Sequence, residues 1–490
     1  MTVRAREPEV AEGARAPTTG GATPVLTSLE GRVLGLQTTA GNRAVSRLLL
    51  ARQVATAEKP GPAAVQSDVP ADLVPASDDA RFRDSDVELL QLRLNWHRGF
   101  ARQRLLVADG KFGYETVHAV KEFKKSKGIG SKGATVDAET WRALTKAPVS
   151  SGAPAGAKPD YDQMVSDGLL DITIGRGFDE NGLGNEEAME VLRGLREVRG
   201  FKDDFVRAGE LRKAAKRPPP GGVGFWMVRE NIGTNAEGAP VHAIVRVLTP
   251  APEFAGQGKA TRDAALEGMN EGDAFIYGGH ARYGTGPDFD RNYKFTVHWD
   301  RFDGTIPEGH AKKAEEYTSS EKLLKDLGIK GSDAQKIAGF EALRNRNPPV
   351  IEFHALSGGN IGINPEPTSH KHDFGAHLMR LAAKNQDRPL AKAITERKYR
   401  VWLFNGCSTG DYKDAIRSSD NPALKGDQLM MHMTENAIPS VESSEAMLTY
   451  LDGLLAREST KALTQRLVKA GRADPYSVSG GTPAKAGAPR

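Results

Sequence analysis

Short apolar runs recur between residues 169 and 404, several of them closed by glycine, asparagine or aspartate. Runs of that length, rich in β-branched and aromatic side chains and bounded by turn formers, predict buried strands. They fall at 169–174, 225–228, 241–247, 274–277, 295–299, 350–353 and 399–404. Stretches with helical spacing lie among them at 186–216, 261–269 and 374–384. Alternation of strand and helix predicts a sheet with helices on its faces. Residues 162–470 therefore read as one large α/β domain of the α/β/α sandwich kind. Residues 84–146 follow a different pattern. Val87, Leu90, Leu92 and Leu94 predict an apolar helix ending near Trp96; Val117, Val120 and Phe123 share one face of a second; Asp137 is placed to cap a third. Asp109-Gly110-Lys111-Phe112-Gly113 between the first two is a tight turn. The predicted fold class is multi-domain, a small all-α three-helix module followed by a large α/β domain.

The other segments lack a period. Residues 53–83 and 147–161 carry Ala, Pro, Ser and Gly and predict linkers. Residues 471–490 predict a disordered tail, and so do residues 1–27. Within 1–52, Leu34, Leu36, Ala40, Val45, Leu48 and Leu49 recur at roughly helical spacing around a Gly41-Asn42 turn.

Composition narrows the partners. A chain of 490 residues has room for several domains. The net charge of +4 is small, and no basic run carries interleaved aromatics, so nucleic acid is not an implied partner. One cysteine excludes an intramolecular disulfide framework and any multi-cysteine zinc site, and nothing calls for a cofactor. No apolar run is long enough to span a membrane. The first residues lack the apolar core of a secretory signal peptide, which predicts synthesis in the cytoplasm without that export route.

The single cysteine, Cys407, stands on a turn after Val401-Trp402-Leu403-Phe404-Asn405-Gly406. The strand fixes the thiol, the turn exposes it, and a helix start from about Asp411 favours the thiolate. The competing reading is a buried structural cysteine. The same construction recurs at 274–277, which runs into Gly278-Gly279-His280-Ala281-Arg282. In a parallel sheet the carboxyl ends of the strands share the edge where ligands bind. Two such turns there bring His280 within reach of Cys407 as general base, and the neighbouring glycines offer backbone N–H groups to an oxyanion. Cys407 and His280 are the catalytic candidates, with Gly279, Gly406 and Arg282 as the oxyanion and substrate loop. His354, after the run at 350–353, is the alternative base, though a loop role is favoured. His370, His372 and His377 cluster around Asp373, but His372 and His377 are five apart, which puts them on different helical faces. A polar helix start is preferred there and no metal is expected. His298 and His432 lie in apolar surroundings and read as satisfied core or edge histidines.

Three stretches resemble known families. Leu36-Gln37-Thr38-Thr39-Ala40-Gly41-Asn42-Arg43-Ala44-Val45-Ser46-Arg47-Leu48-Leu49 resembles a segment near the start of many proteins associated with bacterial extracellular contractile injection systems. That implies a cargo or loading signal, with the injection particle as partner and export route. Leu90-Gln91 and Leu94-Asn95, then the stretch 107–123 around Asp109-Gly110-Lys111-Phe112-Gly113, then Val136-Asp137 and Thr140-Trp141, resemble the peptidoglycan-binding domain family. The departure is the extra basic set His97, Arg98, Arg102 and Arg104. The order His280 then Cys407, each ending a hydrophobic block, resembles the caspase-like (clan CD) cysteine peptidases. The resemblance implies the two blocks on adjacent strands, His280 as acid/base and Cys407 as nucleophile. Ala281 stands where the family usually has Gly, and the 127 residues between the two require an insertion that includes the strand at 350–353. Together these imply a cysteine peptidase on a polypeptide substrate, joined to a wall-binding module and carried by an injection system. The alternatives are a non-catalytic adaptor between particle and peptidoglycan, and a hydrolase of peptidoglycan cross-link peptides.

Overall fold

The computed structural model describes residues 84–479 apart from 131–132, 149–155, 180–182, 251–257, 283–284, 357–358, 365–371, 384–389, 408, 427, 435–442 and 471–475. The expectations for residues 1–83, the injection-system segment included, lie outside the described residues, as do 480–490. The described residues belong to one compact unit.

Three helices build the module: α1 (Asp84–Phe100), α2 (Tyr114–Lys127) and α3 (Ala138–Thr145). Leu90 and Leu94 of α1 join Val120, Phe123, Val136, Trp141 and Leu144 in one core. Asp137 caps α3 as its position predicts, accepting from the Thr140 amide at 2.8 Å. Gln91 holds the glycine turn: its Nε2 donates to Asp109 Oδ1 at 2.9 Å and its Oε1 accepts from the Gly110 amide at 2.9 Å.

The α/β part opens with α4 (Tyr161–Met164), β1 (Leu169–Arg176), α5 (Leu183–Arg193), a π-helical turn (Gly194–Val198), β2 (Lys202–Asp203), α6 (Phe205–Ala214), β3 (Phe225–Thr234), β4 (Pro240–Leu248), α7 (Gly258–Glu271) and β5 (Ala274–Gly278). It continues with β6 (Tyr293–His298), β7 (Ala314–Tyr317), α8 (Ser320–Asp326), α9 (Asp333–Arg344), β8 (Ile351–Ala355), α10 (Phe374–Ala383) and α11 (Leu390–Ala393). It ends with β9 (Arg400–Asn405), α12 (Tyr412–Arg417), β10 (Leu429–Thr434), α13 (Ser443–Leu455), α14 (Thr460–Ala470) and β11 (Tyr476–Ser479). The main sheet has the order β11-β10-β9-β5-β1-β4-β3-β2. Its centre, from β10 to β4, is parallel, and antiparallel strands finish both sides. Alternate residues face opposite layers: Phe275, Tyr277, Trp402 and Phe404 pack with α7, α11 and α12, while His432 on β10 meets Tyr450 of α13 on the other side. The central strands are buried on both faces, which is why they read as largely apolar runs.

Three expectations change. The run at 350–353 does form a strand, but β8 joins β6 and β7 in a separate three-stranded antiparallel sheet. It has its own core around Phe295, Trp299 and Phe340. This body lies between β5 and β9 along the chain. The helix expected over 186–216 is two helices, because Gly200 adopts φ +71° and the chain passes through β2. Within the tail expected at 471–490, residues Tyr476–Ser479 form β11, whose backbone completes the edge of β10.

The module is docked on the α/β part. Leu92 and Trp96 occupy a second face of α1 and pack against Val198. Apolar residues on both faces explain why α1 reads as apolar without one clear stripe. Asn95 accepts from the Leu106 amide at 2.7 Å and donates to Glu445 of α13 at 2.9 Å. Phe100 lies 4.2 Å under the Arg466 guanidinium of α14, itself paired with Glu458 at 2.7 Å. Of the extra basic residues, Arg102 reaches across this seam, while Arg98, Arg104 and His97 bond within the module. Arg102 reaches Glu458 at 3.3 Å, Arg98 pairs with Glu122 at 2.8 Å, Arg104 lies 3.8 Å from Glu115, and His97 is a core side chain 3.2 Å from the Leu144 carbonyl.

Candidate active site

The ends of β9, β5 and β1 are consecutive along one sheet edge, all pointing the same way. Gly278 is in register with Asn405 on one side and Arg176 on the other. Cys407 and His280 each stand two residues beyond that register, on neighbouring strands. Asp179 stands three residues beyond Arg176. Neighbouring strands lie about 4.8 Å apart, so side chains leaving these ends can meet.

Glycines draw the three loops together. A Cβ on Gly406 would lie 2.3 Å from the Gly279 carbonyl, and one on Gly279 would lie 2.7 Å from Gly177 Cα. Gly279 also holds φ +154°, which L side chains rarely adopt. The backbone is then fixed by buried hydroxyls. Tyr277 Oη donates to the His280 carbonyl at 2.9 Å, and Tyr412 Oη donates to the Ala281 carbonyl at 3.0 Å. Burial raises both phenols far above their usual range, which keeps them protonated as donors. On the cysteine loop, Thr409 Oγ1 donates to the Phe404 carbonyl at 2.8 Å and accepts from the Thr434 amide at 2.9 Å, while Thr434 Oγ1 donates to the Gly406 carbonyl.

Cys407 is exposed, unlike the strand before it, so the buried structural reading does not hold. His280 places Nε2 3.1 Å from Asp179 Oδ2. Two of the three loop candidates, Gly279 and Arg282, are committed elsewhere. The Gly279 amide donates to the Asn405 carbonyl at 3.2 Å and is spent in the β5–β9 ladder, so it cannot serve an oxyanion without breaking that bond. Arg282 turns inward: Nε pairs with buried Asp288 at 2.7 Å and Nη2 donates to the Phe178 carbonyl at 3.0 Å. That ties the loop after β5 to the loop after β1.

His354 sits on β8 of the smaller sheet, with Nε2 2.9 Å from Thr296 Oγ1. Of the cluster near 372, His370 lies outside the described residues, and His377 bonds Glu341 at 2.7 Å to join α10 to α9. Among the described residues no group of three or more His, Cys, Asp or Glu is arranged to hold a metal ion. No described helix is long and apolar enough to cross a membrane. His298 bonds Glu352 at 2.8 Å, and buried His432 bonds Tyr450 at 2.8 Å, both satisfied as expected.

Asp179 and Tyr412 were not legible as site residues. The available signal was the repeated grammar of the strand ends: β1 too runs into a glycine, Gly177, followed by a polar side chain within two residues.

The module carries its own surface feature. Tyr114, at the start of α2, is 83 % exposed beside the glycine turn, with its ring centroid 6.4 Å from that of His118. No curated protein and no solved structure matches the chain. Residues 83–144, the module itself, match the family model described as "Putative peptidoglycan binding domain".

Proposed function

We propose that the chain is a thiol-dependent peptide hydrolase held to peptidoglycan by its N-terminal module. The observation that carries this is the register of β5 and β9, which sets His280 and Cys407 at matching positions beyond two adjacent parallel strands. Adjacent strands are what the resemblance to caspase-like peptidases implies for these two blocks. In this reading the Cys407 proton passes to the His280 ring and the thiolate adds to the scissile carbonyl carbon. The ring proton then goes to the departing amine as the C–N bond breaks. Water, losing a proton to the same ring, next hydrolyses the thioester to a carboxylate and restores the thiol. The resemblance of residues 36–49 supports carriage as cargo by a contractile injection system after synthesis in the cytoplasm.

A narrower reading, hydrolysis of peptidoglycan cross-link peptides, is favoured by the docking of the module, which gives a wall-bound molecule a fixed orientation of the site. The test incubates the full chain with purified peptidoglycan and, separately, with a mixed peptide library, and detects new amines by mass spectrometry. New amines are expected from the wild-type chain and absent with Cys407→Ala or His280→Ala. Equal release by Cys407→Ala sinks the hydrolase reading and leaves an adaptor. Retention on purified walls should persist in both variants, and no retention removes the wall from the proposal.

A further inference from the structure

We propose that Asp179 is a positioning residue of this site, acting through His280 and not on substrate; the proposal rests on the thiol-hydrolase reading above. The strand order β9-β5-β1 lays out Cys407, His280 and Asp179 in sequence along one edge. Asp179 Oδ2 lies 3.1 Å from His280 Nε2, with the carboxylate side chain 17 % exposed and the imidazole 45 % exposed. An ionised carboxylate only accepts hydrogen bonds, so this contact puts the neutral ring's proton on Nε2 and leaves the Nδ1 lone pair for the thiol. When Nδ1 takes the Cys407 proton, the imidazolium forms beside a carboxylate already at hydrogen-bond distance. Asp179 stays ionised throughout and takes no proton.

The loop that carries Asp179 is built to hold this contact. The Gly177 amide donates to the Gly278 carbonyl at 2.8 Å, and the Phe178 amide donates to the Asp288 carbonyl at 2.8 Å. Arg282 closes the set by donating to the Phe178 carbonyl at 3.0 Å while paired with Asp288. Both residues before Asp179 are thereby pinned to the segment that carries His280. A surface ion pair between two loops needs no such bracing.

The experiment measures iodoacetamide alkylation of Cys407 in the full-length chain at pH 6 and at pH 9.5, for wild type, Asp179→Asn and Asp179→Ser, with thermal melts as the check on folding. The wild type is expected to react at pH 6 about tenfold or more faster than free cysteine, as an ion-paired thiolate does. Either Asp179 variant should lose about tenfold of that rate at pH 6 and keep the wild-type rate at pH 9.5, where the thiolate forms unaided. Variants matching wild type at pH 6 overturn the positioning role and leave the thiol reading standing. A loss equal at both pH values indicates altered access to the thiol and also overturns it. A wild-type rate no faster than free cysteine overturns the thiol reading itself, and the role of Asp179 with it.

Discussion

Glu445 sits at the seam between the module and the α/β part, and its substitution by glutamine should stabilise the protein at alkaline pH. The carboxyl is half-buried on α13, where it accepts from Asn95 of α1 at 2.9 Å. The nearby Arg199 favours its ionised form, but that guanidinium already makes a two-point pair with Asp452, at 2.8 Å for each bond. Glu190 and Asp452 oppose ionisation. Burial dominates and lifts the Glu445 pKa from 4.5 to about 7. A raised carboxyl pKa means that the folded state holds the proton more tightly than the unfolded chain. Stability from this group is therefore full below the unfolded value and is lost as pH rises through the folded one. At about 1.4 kcal/mol per unit, the loss between pH 5 and pH 8.5 is about 2 to 3 kcal/mol. Glutamine keeps the acceptor for Asn95 and cannot ionise. Glu445→Gln should thus match wild type within about 1 kcal/mol at pH 5 and exceed it by about 2 to 3 kcal/mol at pH 8.5, read from urea unfolding curves at the two pH values. A difference that does not change with pH would refute the half-buried, weakly compensated carboxyl. So would a variant that is less stable at pH 8.5.

Three further outcomes follow from the same geometry. Buried His432 has its pKa pushed down to about 3, and burial lowers His97 to about 4, so each is neutral when folded and charges on unfolding. The unfolded chain binds these protons first, so stability should fall as pH drops below about 6.5, and His432→Phe should flatten part of that slope in urea titrations at pH 7 and pH 4.5. Tyr412→Phe leaves the buried Ala281 carbonyl without its hydroxyl donor, at a cost of about 1 to 3 kcal/mol. The same change should slow Cys407 alkylation at pH 6, and a variant unchanged in both would remove Tyr412 from the support of the loop. A chain starting at residue 156 loses the cover of Leu92, Trp96 and Phe100, and at about 1.5 to 3 kcal/mol per large apolar side chain it should unfold at lower urea than the full chain. An equal midpoint would mean that the module is a tethered passenger.

The strands that carry the candidate site were the most legible part of the sequence, and for a physical reason. β1, β5 and β9 are buried on both faces, so apolar residues fill most of their positions, and the polar exceptions, among them Asp171, Thr173 and Arg400, are themselves buried. β10 is equally buried, yet Leu429-Met430-Met431-His432-Met433-Thr434 has a single β-branched residue, Thr434, and no Phe, Tyr or Trp, so its composition does not mark a strand. The runs at 295–299 and 350–353 predict strands of one sheet with the others, whereas β6 and β8 pair in a sheet of their own with β7. The alternation of Lys294, Thr296 and His298 with buried Phe295 and Val297 is the pattern of a sheet with one face toward solvent, which separates them from the main sheet.

The site itself was half legible because chemistry and placement leave different traces. Cys407 and His280 are reactive residue types, and a strand–glycine boundary marks each, so both stand out as candidates from pattern alone. Asp179 is one of many surface-compatible aspartates in the chain. Its significance comes only from β1 lying next to β5, a neighbour relation that sequence order hides, since β2, β3 and β4 intervene along the chain while only β1 touches β5 in space on that side. The Gly279 amide departs from its expected role for a related reason. Gly279 and Gly406 look like open donors in a sequence, but in the sheet they are the points where three backbones approach closely, and the Gly279 amide is consumed by that approach. Tight loop contact and a spare amide are competing uses of the same glycine. Here the contact wins, because it is what holds Asp179, His280 and Cys407 on one edge.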